Sequence, residues 1–120
     1  MKIAIGTNDQ QNINPHHFGE SRYFFVVEIS DNTRVNAYRE NPWWNLEVSQ
    51  RAPRIAVLLG DCDAIVIRGI AKQGLDILSQ TFRSIFLTRL TDLDEIAARL
   101  ARGEMADFQA YNPATQKFER

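Results

Sequence analysis

Residues 64–74 read AIVIRGIAKQG and decide the fold, because they join an uninterrupted apolar strand to a glycine turn and the first turn of a helix. Short apolar runs rich in β-branched residues are typical of parallel strands that are buried on both faces. Residues 2–6 and 84–87 form two more runs of this kind. Together the three runs predict parallel strands joined by right-handed crossovers, which is an α/β architecture.

Three helical patterns separate or follow these strands. Apolar residues at i, i+3, i+4 and i+7 predict a first helix over residues 50–59, with Gly60 as its stop. A weaker apolar stripe predicts a second helix that starts near Lys72. The third helix has the clearest ends, because Thr91 is placed to cap it and Gly103 to terminate it.

A longer aromatic and β-branched segment follows the first strand. Residues 23–29 and 33–39 flank the turn-forming residues 30–32, which predicts an antiparallel hairpin at a sheet edge. The predicted fold is an α/β sandwich with a mixed, five-stranded sheet, contained in a single domain over residues 1–103. Residues 104–120 are predicted to be a polar C-terminal tail, with room for one short added strand.

The charge balance limits the classes of partner. Fourteen basic and fifteen acidic side chains give a net charge of −1, so no general field attracts nucleic acid or an anionic membrane surface. The N-terminus turns polar after Gly6, far short of the ~7–15 apolar residues of a signal peptide or the ~20 of a membrane span. We therefore expect a soluble, cytoplasmic protein that binds neither nucleic acid nor membrane.

Cys62 is the only cysteine, which excludes an internal disulfide and a four-cysteine metal site. It comes before the strand over residues 64–67. The far end of that strand is about five residues away, which is ~16 Å at ~3.3 Å per residue. We interpret it as a packing residue. The alternative, an enzyme with Cys62 as nucleophile, needs a base within hydrogen-bond reach.

Nuclease chemistry with two metal ions needs clustered carboxylates, and only Asp9 closely follows the first strand. Binding is therefore favoured over catalysis.

Both histidines lie in the loop over residues 7–22, which is longer than the ~2–6 residues that such connections need. Ligands of open α/β sheets collect at the carboxyl ends of the parallel strands, where this loop begins. Adjacent residues of an extended loop point to opposite sides, so His16 and His17 are not expected to hold the same metal ion. A solvated loop with Phe18 in the core is the alternative, and it stays open.

A second segment, residues 68–74, follows a buried strand at the same edge. Arg68, Lys72 and the backbone amides beginning at Gly69 form a candidate anion site. A nucleotide-binding phosphate loop is not supported, since that loop requires Lys and then Ser or Thr after Gly74. Gly69 alternatively serves only to turn the chain tightly from strand to helix.

The paired tryptophans at residues 43–44 stand in a polar loop. They predict either an exposed surface for a partner or ligand, or a cover over the sheet edge or the first helix. The sequence leaves both interpretations open.

An ordered series of short motifs is similar to a known family. The motifs are MKIAI at residues 1–5, His17-Phe18-Gly19 before an aromatic strand, Glu40-Asn41-Pro42, and CDAIV at residues 62–66 followed by Gly69-Ile70 and Gly74. Over residues 1–103 the chain resembles the dinitrogenase iron-molybdenum cofactor biosynthesis family. The resemblance implies a three-layer α/β/α, ribonuclease-H-like fold without nuclease activity.

The resemblance also implies a non-enzymatic carrier of an iron-sulfur-type cluster or an iron-molybdenum cofactor precursor, with cofactor-synthesis or nitrogenase-like proteins as partners. His17 matches the family's cofactor-binding histidine. Such a cluster brings its own metal and sulfide, so the protein need supply only one or two ligands and positive charge. The anion site is then formed by Arg68, Gly69 and Lys72. Arg22 is a weaker candidate for cofactor binding, and His16 is expected to orient the site. The alternative function is a small-anion or protein-interaction module with no metal.

Overall fold

A computed structural model describes residues 1–30 and 33–120. Its elements follow the chain in this order: β1 (Lys2–Thr7), a 3-10 turn (Phe18–Glu20), β2 (Tyr23–Ser30), β3 (Thr33–Glu40), α1 (Val48–Leu58), β4 (Ala64–Ile67), α2 (Lys72–Leu78), β5 (Ser84–Thr88), α3 (Leu93–Ala101), β6 (Phe108–Asn112) and β7 (Lys117–Glu119). The turn predicted at residues 30–32 falls largely on residues 31 and 32, which lie outside the described residues.

The strands form one mixed sheet in the order β3-β2-β1-β4-β5-β6-β7. Strands β1, β4 and β5 are mutually parallel, and β2 and β3 form the antiparallel hairpin at one edge. The α/β class, the mixed sheet and the edge hairpin are therefore confirmed. The ribonuclease-H-like assignment stays a prediction.

The predicted five strands are wrong, because the described part of the sheet has seven. Residues 104–120 form a second antiparallel hairpin, in which β6 pairs with β5 and β7 with β6. Phe108 anchors β6 by burying its side chain to 3% exposure, and Tyr111 contacts Phe118 across the hairpin at a ring distance of 5.3 Å. The two strands are short and mostly polar, so their apolar pattern is too weak to predict both from sequence.

Helices pack on both faces of the sheet, because successive strand residues point to opposite sides. On one face, Ile3 and Ile5 of β1 join the buried side of α3. On the other face, Ala4 joins the buried residues Ile55 of α1 and Leu78 of α2. The structure therefore has two apolar cores, one on each side of the sheet.

The helix ends differ slightly from the prediction. Helix α1 begins at Val48, two residues before the predicted start. Thr91 as the cap of α3 is wrong, because Asp92 is the N-cap and its carboxylate accepts a hydrogen bond from the N–H of Glu95 at 2.8 Å. Gly103 follows the end of α3 with a φ of +71°, a conformation that favours glycine. Across residues 1–30 and 33–120, every helix is too short or too polar to cross a membrane.

Asp61 links β3 to β1 near the amino-terminal ends of β1 and β4. Its carboxylate accepts two hydrogen bonds of 2.7 Å from Arg39 on β3 and one of 3.1 Å from Lys2 on β1. Arg39 also donates to the carbonyl of Leu58 at the end of α1. The hydrogen bonds from Arg39, with a smaller contribution from Lys2, hold the pKa of Asp61 well below its ordinary value.

We expect Asp61→Asn to lower the free energy of unfolding at pH 7 by about 1 kcal/mol, the scale of a well-formed surface ion pair. Because the pKa of Asp61 is lower in the folded state than in the unfolded state, its stabilisation is fully present above about pH 4. That stabilisation is lost as the pH falls through the folded-state pKa. Urea denaturation from pH 7 to pH 2 should therefore show the wild-type and Asn variants converging. Asp76→Asn, an exposed carboxylate on α2, is the control, and curves that stay parallel would contradict the assignment.

Candidate functional site

The loop after β1 folds back against the turn after β4. The N–H of Phe18 donates to the carbonyl of Gly69 at 2.9 Å, and His17 forms a parallel β-bridge with Gly69. Both segments lie at the carboxyl ends of parallel strands, where the sequence predicted a ligand site. Main-chain contacts thus bring His17 beside the turn that begins at Arg68.

Gly69 permits this approach because it has no side chain. A Cβ atom at this position would lie 3.0 Å from the carbonyl oxygen of His16 and 3.8 Å from the imidazole Cδ2 of His17. The nearest obstacle is backbone, which cannot turn aside as a flexible side chain can. A side chain at position 69 would therefore push the backbone of the histidine loop away by a few tenths of an ångström, whereas Gly69 leaves the close approach unstrained.

Two buried asparagines hold the loop through side-chain hydrogen bonds. The amide of Asn14 donates to the carbonyl of His17 at 2.9 Å and to the hydroxyl of Ser21 at 3.0 Å, while its oxygen accepts from the N–H of His16. The amide of Asn41 donates to the carbonyls of Gly19 and Ser21. The side chains of Asn14 and Asn41 consequently hold residues 16–21 by forming hydrogen bonds with their backbone N–H and C=O groups.

We expect Asn14→Ala to lower the free energy of unfolding by about 2 kcal/mol, because it removes three hydrogen bonds and leaves buried polar groups without partners. The change should appear as a lower urea midpoint with an unchanged slope. Asn36→Ala, at an exposed position of β3, is the matched control. An equal effect of the two substitutions would show that Asn14 does not hold the loop.

The His17 side chain is about half exposed, at 48% of its full accessibility. Its Nδ1 lies 3.6 Å from a carboxylate oxygen of Glu20, which is within ion-pair range but longer than a hydrogen bond. Metal-bound imidazoles commonly have a carboxylate near the nitrogen that does not bind the metal. In this arrangement Nδ1 faces the carboxylate and Nε2 is the other ring nitrogen, on the side away from that contact. Glu20 was not predicted from the sequence, although its i, i+3 spacing from His17 across a short turn was the available signal.

Three adjoining hollows follow this edge of the molecule. The first, of about 510 Å³, is lined by His16, Glu20, Arg22 and Trp44 together with Asn8 and Asn14. The second, of about 430 Å³, shares Asn8 and Asn14 with the first and is also lined by Arg68. The third, of about 440 Å³, is lined by Arg68, Gly69 and Lys72. The structure thus places His16 and Arg22 in one hollow and Arg68, Gly69 and Lys72 in another, with His17 next to Gly69.

Arg22 and Arg68 each make a defined contact. The guanidinium of Arg22 stacks over the ring of Trp44, with its carbon 3.8 Å from the ring centre. Arg68 donates to the carbonyl of Arg89 at 3.3 Å. Trp43 instead packs against the core beside α1, so the two tryptophans divide between covering the core and lining the first hollow. Arg68 is half-buried and Lys72 is exposed.

Cys62 comes before β4, at the amino-terminal ends of the parallel strands. His17 and Gly69 come after β1 and β4, at the carboxyl ends, so the cysteine lies at the opposite end of these strands. Its side chain is buried, and burial raises the pKa of the thiol to about 11. The thiolate is the reactive form of cysteine, and little of it is present at neutral pH at such a pKa. These observations agree with packing and count against a nucleophilic role.

A sequence model of the family described as "Dinitrogenase iron-molybdenum cofactor" matches residues 1–103 of the chain. No curated protein sequence is significantly similar to it. The crystal structure of a protein from Methanocaldococcus jannaschii, described as a candidate dinitrogenase, is 20% identical, with a TM-score of 0.68 over 92% of this chain and 93% of that one. The NMR structure of a candidate NifB protein from Thermotoga is 12% identical, with a TM-score of 0.68 over 99% and 97%. At these identities the two likenesses show the fold alone.

Proposed function

Because this chain belongs to the dinitrogenase iron-molybdenum cofactor family, we propose that it is a non-enzymatic carrier of an iron-sulfur-type cluster or an iron-molybdenum cofactor precursor. Family membership links the chain to the biosynthesis of the nitrogenase cofactor. The carrier role, the identity of the cluster and the site are our proposal. The proteins that deliver or receive the cluster are then cofactor-synthesis or nitrogenase-like proteins.

The donor set of the site fits a cluster that arrives assembled. Among residues 1–30 and 33–120, no group of three or more His, Cys, Asp or Glu side chains is arranged to hold a metal ion. A preformed cluster carries its own metal and sulfide, so we assign one imidazole and nearby positive charge as its protein contacts. His17 supplies the imidazole, and its position next to Gly69 is the observation that supports the proposal most directly.

The remaining candidates supply charge and position. Arg68 and Lys72 line the third hollow together with Gly69, the residue that His17 bridges, and neither has an ion-pair partner in the described part of the chain. Two such cations favour an anionic guest. Arg22 and His16, in the first hollow, are assigned to the outer part of the site, with His16 orienting the loop rather than binding the metal.

Anaerobic reconstitution tests the proposal directly. Ferrous iron and sulfide, and in a separate experiment isolated iron-molybdenum cofactor, are added to metal-free protein, and unbound material is removed by gel filtration. We expect at least one probe to give visible absorption that co-elutes with the protein, with metal in stoichiometric amount. Protein that stays colourless and metal-free with both probes would contradict a carrier role.

The unpaired charges of Arg68 and Lys72 also favour a second candidate, a small-anion or protein-interaction module that uses no metal. This function predicts that phosphate or dicarboxylates raise the melting temperature of metal-free protein, since a ligand that binds only the folded state stabilises it. Cluster binding without any such shift supports the carrier. A shift without cluster binding supports the module.

A further inference from the structure

The third hollow has an apolar lining that the proposed cluster site does not use. It forms a groove between α2 and the hairpin of β6 and β7. Ile70 and Leu75 line the helix side, and Tyr111 and Phe118 line the hairpin side. Its volume of about 440 Å³ lies within the range of ~300–1,000 Å³ that is usual for small-molecule sites.

The groove exists because the helical layer on this face stops before the end of the sheet. Helix α2 has only seven residues, and the described chain continues on this side with the hairpin, which contributes no helix. Tyr111, Phe118, Leu75 and Leu87 all pack against the same core cluster, yet each remains only partly buried. Apolar surface that a longer helix would cover is therefore accessible to a ligand.

The charges at the groove are complementary to an anion. Arg68 and Lys72 line the groove together with Gly69, and Asp76 also lines it, one helical turn beyond Lys72 on α2. Asp76 is not within ion-pair distance of either cation among the described residues. The three groups together leave one net positive charge beside an apolar and aromatic wall. This combination suits one carboxylate attached to an apolar body better than a fully hydrated inorganic anion.

We propose that this groove binds a small organic monocarboxylate with an aromatic or branched apolar body. The carboxylate lies between Arg68 and Lys72, and the body packs against Tyr111 and Phe118. Both aromatic residues follow residue 103, beyond the part of the chain that the family model matches. The site is thus built partly from the C-terminal hairpin of this chain. It shares Arg68 and Lys72 with the proposed cluster site, so the carboxylate binds to metal-free protein and competes with a cluster for these cations.

The test uses metal-free, full-length protein and 3-phenylpropanoate as the probe. Its neutral analogue 3-phenylpropanamide reports the contribution of charge, and inorganic phosphate reports binding of an anion without an apolar body. We expect 3-phenylpropanoate to bind in calorimetry at least about tenfold more tightly than either, a ratio equal to about 1.4 kcal/mol. NMR shifts should concentrate at the methyl groups of Leu75 and Leu87. Equal binding of the amide, no binding of the acid, or shifts confined to the first hollow would overturn the proposal.

Two variants separate the charged contact from the apolar contact. Lys72→Gln should weaken binding of the acid severalfold and leave that of the amide unchanged, whereas Tyr111→Ala should weaken both. Val57→Ala, at a side chain that is 83% exposed on α1, is the control and should change neither. Lys72 is exposed, so its variant remains informative if the tyrosine variant unfolds. Since the readout contains no metal, loss of cluster binding and loss of carboxylate binding are distinguishable failures.

Discussion

Replacing His17 by alanine is expected to lower the affinity for the bound cluster, whether iron-sulfur or iron-molybdenum, by at least ~100-fold. Removing an outer residue that only orients a metal ligand already costs ~10–100-fold, so loss of the ligand itself should cost more. The backbone bridge to Gly69 does not involve the imidazole, and the side chain is half exposed. The variant should therefore fold normally while its visible absorption after reconstitution disappears.

His16→Ala is the matched control, since it removes the neighbouring imidazole from the same loop. We expect it to lose no more than about tenfold in affinity, the lower end of the range for an orienting residue, because His16 is not assigned as the metal ligand. Glu20→Gln should give an intermediate loss, as it alters the carboxylate near Nδ1 of His17 and leaves Nε2 free. If His17→Ala binds the cluster as tightly as the wild type, the assignment of the ligand is wrong. A selective loss in His16→Ala would move the ligand by one residue.

Replacing Phe18 by alanine should lower the free energy of unfolding by about 3–5 kcal/mol, the usual cost of deleting a buried phenylalanine ring. Phe18 is 2% exposed, and its ring lies 5.0 Å from that of Phe24 on β2. The sequence left open whether Phe18 belongs to the core, and the structure places it there. Its loss would leave a cavity under the histidine loop, which urea denaturation measures as a lower midpoint.

Phe82→Ala distinguishes a general loss of stability from damage to the site. Phe82 is 4% exposed in the same apolar core as Phe18, but it precedes β5 and lies at the other edge of the sheet. We expect the two alanine variants to be destabilised by similar amounts, with only Phe18→Ala also weakening cluster binding. A loss below 1 kcal/mol for Phe18→Ala would mean that the loop does not depend on this ring.

The sequence predicts the central part of the fold because its signals there are strong and local. Four consecutive apolar residues at 64–67, bounded by charged residues, specify a buried strand, and the structure has β4 at the same residues. Gly103 likewise specifies the end of α3. The hairpin of β6 and β7 lacks such a signal, since it depends on pairing with β5 and on a few aromatic contacts. Long-range pairing of short polar strands cannot be recognised from local pattern.

The same distinction applies to the candidate site. Strand order and the positions of strand ends predict that His17 and Arg68 lie at one edge, and the bridge to Gly69 agrees with that placement. Sequence spacing does not reveal that Asn14 and Asn41 hold the loop, because their hydrogen bonds depend on how the chain folds back. Sequence spacing also does not reveal that Arg22 and Lys72 line different hollows. That difference depends on which side chains fold together around each hollow.

The C-terminal hairpin has a consequence for any shortened version of the protein. A chain cut after residue 103 keeps all of the family-matched segment but loses the neighbour of β5. The outer main-chain amides and carbonyls of β5 would then face solvent, next to the side chains of Phe86 and Leu87. Exposed strand edges with apolar side chains promote self-association. Such a fragment is therefore expected to aggregate, so solution studies of cluster binding need the intact hairpin.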